Sequence, residues 1–365
     1  MYGRPVTASP VTASPVTASI SLLRSRGHAL IPEWMPHRAV WCAWPHDAAE
    51  WGPAFEPARD AFGALVAALA AGGEAVEVLV RDPAEEASAL TAFARHGARA
   101  AAVRTHVAPY GDVWTRDTGP LFMVAPDGAR VALCCEWNGW GGKYLMDGDD
   151  GVAHLIAASA ALPTFDADFV LEGGAIEIDG TGTLLTTRSC LLHPNRHPGA
   201  VPTEAALEAR LRAWLGVERI VWIDDGLHFD HTDGHVDNIA RFVAPGVVAI
   251  GAPDGAGDPH RDRLVAIREQ VTRHGLEVVP LPSPGRVENP HTGELLPASH
   301  LNFFIAQHAI VVPVYGRPSD DAACRQLEAL FPGRRSLPVF ATHLLTGGGS
   351  VHCMTKEEPA CPVAS

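Results

Sequence analysis

The sequence predicts a mixed α/β protein built from repeated small units. Three observations predict it. A helix-like segment is followed by a strand-like one four times along the chain, and two apolar pairs straddle Asp-Gly turns. The third is composition: 35 glycines and 30 prolines in 365 residues imply many short elements joined by tight turns, while 47% apolar residues can fill a large core.

At the N-terminus, Val-Thr-Ala-Ser-Pro stands at 6–10, again at 11–15, and as a truncated copy at 16–19. Pro, Ser, Thr and Ala at a period of five offer too little apolar surface to offset chain entropy, so residues 1–19 are expected to be a disordered tail and 20–365 a single domain. The tail has neither the basic start nor the unbroken apolar run of a signal peptide, and nothing later approaches the ~20 apolar residues of a membrane span.

The first helix is expected at 58–69, where Phe62, Leu65, Val66 and Leu69 recur at helical spacing, with a buried strand at 77–80. The same order recurs at 203–215 with 219–223, at 259–274 with 276–280, and at 320–331 with 336–339. Hairpins are expected for 121–124 with 131–134 across Asp127-Gly128, and for 175–178 with 183–186 across Asp179-Gly180. A strand pair, a helix and a further strand, repeated, suggest a ring of similar units.

A balance of 28 basic against 42 acidic residues gives a formal charge of -14, which repels nucleic acid and anionic lipid and favours cations. The seven cysteines have no Cys-x-x-Cys pair, which argues against a zinc ribbon or disulfide framework and for a reducing cytoplasm.

Four polar stretches lie beside apolar strands: 113–120, with Trp114 and Asp117; 170–174, with Glu172; 230–238, with His235 and Asp237; and 347–355, with Cys353. Each piece has a plain structural reading. A cysteine after glycines can be packing, an Asp before Thr-Gly-Pro can be a turn residue, and Glu before Gly-Gly can be solvated. Together they form a set suited to breaking a C–N bond of a guanidinium, because carboxylates grip its planar rim while a thiolate adds to its carbon and a histidine moves the proton.

Trp-Thr-Arg-Asp-Thr-Gly-Pro, Trp-Asn-Gly-Trp-Gly-Gly-Lys-Tyr, Leu-Glu-Gly-Gly, Gly-His-Val-Asp-Asn and Gly-Gly-Gly-Ser-Val-His-Cys-Met-Thr closely resemble the agmatine deiminase family, which belongs with the bacterial-type peptidylarginine deiminases. The similarity runs from Pro32 through Cys353. It implies the pentein fold, an α/β propeller of five pseudo-symmetric ββαβ-like units around a central channel. It also implies roles: Cys353 as nucleophile, His235 as general acid then base, Asp117 and Asp237 as guanidinium clamps, and Glu172 as partner of the histidine or the substrate. Trp114 is the candidate wall for the methylene chain, and a core tryptophan is its plain alternative. Ser350 and His300 stand where many members carry Asn and Tyr, which bears on the distal end of the substrate.

The function so implied is hydrolysis of agmatine to N-carbamoylputrescine and ammonia through an amidino-cysteine intermediate, in polyamine biosynthesis. No metal or cofactor is called for, and the expected partner is a small cationic guanidino substrate, with a homodimer as the default assembly. Alternatives are a deiminase of free or peptidyl arginine, a related amidinotransferase, and a metal-dependent ureohydrolase. The last is suggested by the Asp-x-His-x-Asp spacing of Asp233, His235 and Asp237, but the further ligand runs of a dinuclear site are missing.

Overall fold

The computed structural model describes residues 15–361. Its strands form five small sheets, and each contains one copy of the same pattern: an antiparallel strand pair, then a helix, then a strand parallel to the second of the pair.

In the first unit Leu121–Val124 and Arg130–Glu136 make the hairpin, and Thr164–Val170 returns parallel after the helix Val152–Ser159. The second joins Ile176–Ile178, Thr183–Thr187 and Arg219–Ile223 through the helix Glu204–Leu215. That helix starts where the Thr203 hydroxyl accepts from the Ala206 N–H and stops at Gly216, in the left-handed region. The third uses Ala240–Ala244, Val247–Ala252 and Glu277–Pro282 with the helix Arg261–Arg273. The fourth uses Phe304–Ile305, Ala309–Val314 and Arg335–Phe340 with the helix Asp320–Leu330.

The fifth unit is assembled from both ends of the chain. Lys356–Pro359 pairs antiparallel with His37–Ala43, and Val76–Val80 follows in parallel after the helix Phe55–Ala71. An additional strand, Val103–Val107, extends this sheet. All four helix-then-strand pairs and both Asp-Gly hairpins expected from the sequence are present, and five ββαβ units are the pentein arrangement that the resemblance implies.

The N-terminal expectation needs correcting. Residues 15–19 belong to a helix, Pro15–Ser25, whose Leu23 is fully buried with Trp214 and Leu215, so apolar residues just beyond the repeat draw its last copy into regular structure. Residues 1–14 lie outside the described residues. The largest apolar cluster packs Phe62, Leu65 and Leu69 against Val76, Val78 and Val80, and runs on to Trp114, Val351 and Cys353. The late thiol therefore rests on the core.

Candidate active site

Each unit contributes to one place from the same position, the loop that enters its first strand. Asp117 precedes Leu121–Val124, Glu172 precedes Ile176–Ile178, and His235 with Asp237 precede Ala240–Ala244. Asn302 precedes Phe304–Ile305, and Cys353 precedes Lys356–Pro359. Sequence reasoning singled out four of these five loops for their chemistry.

Cys353 is buried, with its Sγ 3.2 Å from Asn302 Nδ2 and 3.8 Å from Asp237 Oδ2. Burial, reinforced by the Asp237 and Asp117 carboxylates, pushes the thiol well above its ordinary value. The resting side chain is thus a neutral thiol. Glycines give it room: a Cβ at Gly349 would fall 2.7 Å from the Trp114 ring and 3.0 Å from the sulfur, closer than packing allows.

Asp237 and Asp117 are both buried but differ electrostatically. Burial raises the Asp237 carboxyl, but His352, bonded to Oδ2 at 2.8 Å, together with His235 and Arg241, outweighs it and holds the carboxyl below its ordinary value. Its Oδ1 has no hydrogen-bond partner. Asp117 accepts from Trp140 Nε1 and the Gly174 N–H, both at 2.9 Å, yet burial and the neighbouring Glu172 and Asp237 keep its carboxyl raised despite His235.

In an extended stretch, residues two apart such as His235 and Asp237 would share one face. Instead Val236–Asn238 forms a 3-10 turn. Both side chains still converge, since a Cβ at Gly174 would meet His235 Nδ1 at 2.6 Å and Asp237 Oδ2 at 3.1 Å. Neither ring nitrogen of His235 has a hydrogen-bond partner, and Nδ1 lies 3.8 Å from Asp117 Oδ2. Burial alone would lower this histidine, but the Asp117 carboxylate foremost, with Cys190 and Glu172 beside it, holds it well above its ordinary value. Cys190 is itself pushed up by burial and stays a neutral thiol, so the carboxylates carry the charge effect.

Glu172 is fully buried, and its Oε1 accepts from Arg196 Nε at 2.7 Å while Oε2 is unpartnered. Arg196 also donates to the Thr232 carbonyl at 2.8 Å and pairs with Asp233, which ties Glu172 to the loop carrying His235. Trp114 is both core residue and pocket wall: it is buried, stacks on Trp51 at 6.1 Å, donates to Asp112 Oδ2 at 2.7 Å and lines the pocket beside Cys353.

The pocket, about 400 Å³ including its mouth, is lined by Glu50, Asp112, Trp114, Asp117, Trp140, Cys353 and neighbouring residues. Its lining contains carboxylates and aromatic rings but no lysine or arginine. Ser350 and His300 do not line it. Ser350 donates to Asn302 Oδ1 at 2.8 Å, and His300 is fixed between the Pro282 carbonyl and Asp320.

The sequence reading missed Asn302, Glu33 and the role of His352. An extended segment would point His352 away from its neighbour Cys353; residues 351–354 turn instead, and the ring is clamped between Asp237 and Glu33, at 2.8 Å on each side. Glu33 also pairs with Arg116 and Arg241, each at 3.1 Å, and accepts from the Ile305 N–H at 2.7 Å. Burial opposes its charge, but Arg241, His352 and Arg116 hold this carboxyl well below its usual range.

Fold and pocket together define the class: a pentein with a buried thiol, an unpartnered histidine and paired carboxylates at the meeting point of its units. The profile of the Porphyromonas-type peptidyl-arginine deiminases matches residues 29–359, and the chain belongs to that family. It is 34% identical to the agmatine deiminase of Stutzerimonas stutzeri over 92% of this chain and 97% of the relative. The agmatine deiminase of Enterococcus faecalis superposes with a TM-score of 0.86 at 28% identity, over 93% of this chain and 97% of that one. An agmatine deiminase of C. jejuni with substrate bound superposes with a TM-score of 0.82 at 25% identity, over 91% of this chain and 96% of that one.

Proposed function

We propose that this chain is an agmatine deiminase, a hydrolase that converts the guanidino group of agmatine to N-carbamoylputrescine and ammonia. The observation that carries the reading is the convergence of four side chains: Asp117 and Cys353 line the pocket, and behind them Asp237 lies 3.8 Å from the Cys353 sulfur and His235 3.8 Å from Asp117. Membership of the family supports it.

The guanidinium sits between Asp117 and Asp237, with its carbon toward the Cys353 sulfur. Its positive charge offsets the two carboxylates that hold the thiol neutral, so binding favours loss of the thiol proton to solvent and leaves the thiolate. Sulfur adds to the carbon, His235 gives its proton to one nitrogen, and that C–N bond breaks to release ammonia. Water then adds to the S-amidino carbon, the neutral imidazole takes its proton, and the C–S bond breaks to return the thiol and release the ureido product. Asp117 foremost, with Glu172 anchored by Arg196 adding to it, keeps His235 protonated in the resting state.

The carboxylate-lined pocket favours agmatine over arginine. Burial pushes Asp112 up to about 7, with Asp149 and Glu50 adding to it, which marks a pocket short of positive charge. A substrate with a second cation meets that shortage, and the lining offers a substrate carboxylate no basic partner.

We place the reaction in the cytoplasm: among the described residues all seven cysteines are unpaired, and no helix is long and apolar enough to cross a membrane. The product feeds putrescine formation, and a homodimer is the default assembly. Ammonia release assayed on agmatine, free arginine and an arginine-containing peptide tests the reading, with agmatine the expected substrate. Cys353→Ala and Cys353→Ser are expected to abolish turnover with the fold kept, and undiminished ammonia from either overturns the assignment.

A further inference from the structure

Behind the pocket the mechanism leaves one thiol unused. Cys190 stands in the short helix Arg188–Leu191, fully buried, and its sulfur, a Glu172 oxygen and a His235 ring nitrogen all lie within 4.8 Å of one another. Two of these groups have unmet bonding capacity: Glu172 Oε2 and both nitrogens of His235 lack a hydrogen-bond partner, although the side chains are 0% and 1% exposed. Buried polar atoms are nearly always hydrogen-bonded, so atoms left in this state point to something that binds there.

We propose that Glu172, Cys190 and His235 form an inhibitory zinc site. The donor set decides the ion. A thiolate, an imidazole and a carboxylate suit Zn²⁺, whereas magnesium and calcium take oxygen-rich shells. Bonds of about 2.0–2.3 Å in tetrahedral array hold ligand atoms roughly 3.5 Å apart, so the three side chains close on the ion by about an ångström. Coordination displaces two protons to solvent, one from the Cys190 thiol and one from the His235 imidazolium, forms the S–Zn and N–Zn bonds, and leaves His235 unable to give or take a proton. Arg196 on Glu172 Oε1 fixes the carboxylate with its other oxygen free for the ion.

The consequence is reversible inhibition that does not involve the Cys353 sulfur. Zinc titrated into the apoprotein by calorimetry should give one site per chain. Cys353→Ala should retain that site, while Cys190→Ala and Glu172→Gln should each weaken it by at least ~100-fold. Zinc-edge anomalous diffraction should place the ion between residues 172, 190 and 235, and a chelator should restore turnover in the wild-type enzyme.

Absence of a zinc site in the wild type overturns the proposal. So does a site that survives Cys190→Ala and Glu172→Gln, or one lost in Cys353→Ala, which would put the ion on the pocket thiol. Binding is read without turnover, so the outcome is independent of which substrate the enzyme uses.

Discussion

His235 and His352 are both buried imidazoles of the same site, one close to Asp117 and the other to Asp237, yet their surroundings differ in kind. Both nitrogens of His352 are engaged, by Asp237 on one side and Glu33 on the other. Neither nitrogen of His235 is, and its nearest charged atom stands 3.8 Å away. A ring bonded on both sides is a strut that aims its neighbours. A ring left free in an anionic environment can give up a proton and take it back. Bonding, more than burial or sequence position, separates the two roles.

That contrast can be broken most severely at His235. His235→Gln should lower kcat by ~10²–10⁴-fold without unfolding the protein. Because the folded histidine is held above its ordinary value of 6.5, its protonation contributes stability that is fully present below that pH and is lost as pH rises through the raised value. The variant should lose this alkaline decline in Tm, and an unchanged Tm–pH profile would count against the raised value.

Removing the far anchor of the strut comes next. Glu33→Gln leaves Arg116, Arg241 and His352 facing a neutral amide, and a broken buried pair costs about 3–5 kcal/mol in chemical denaturation. Since the Glu33 carboxyl is depressed, the stability it provides is present above its ordinary value of 4.5 and is lost as pH falls through the depressed one, so the variant should be less sensitive to acid.

His352→Asn sharpens the contrast with His235. Loss of a charge-assisted bond of about 1.5–3 kcal/mol should appear mainly as a raised KM for agmatine, because Asp237 is less well aimed while proton transfer continues. A fall in kcat as deep as that of His235→Gln would erase the distinction. The smallest effect is expected from Trp114→Phe, which keeps an aromatic wall and loses only the bond to Asp112, a few-fold change in kcat/KM at about 0.5–1.5 kcal/mol.

Much of the architecture was legible because its signals are local. Helical spacing at 58–69 and the Asp-Gly turns at 127–128 and 179–180 stated their elements directly. The strand Lys356–Pro359 was not legible: Lys-Glu-Glu-Pro has no strand-like pattern, and only pairing with Trp41, Val40, Ala39 and His37 makes it one. The site divides in the same way. Asp117, Glu172, His235, Asp237 and Cys353 stand in short polar runs beside glycine, a pattern visible in isolation. Asn302 sits in a stretch that drew notice only through His300, and Glu33 gains its meaning from partners 83, 208 and 319 residues away.

The joining of the two chain ends in one sheet carries a consequence for synthesis. The strand that completes the fifth unit begins three residues after Cys353, so a nascent chain on the ribosome can assemble four units while the His37–Ala43 edge still lacks its partner. Completion of the fifth unit and arrival of Cys353 are a single late event, and a polypeptide halted before residue 353 lacks both the closing strand and the thiol.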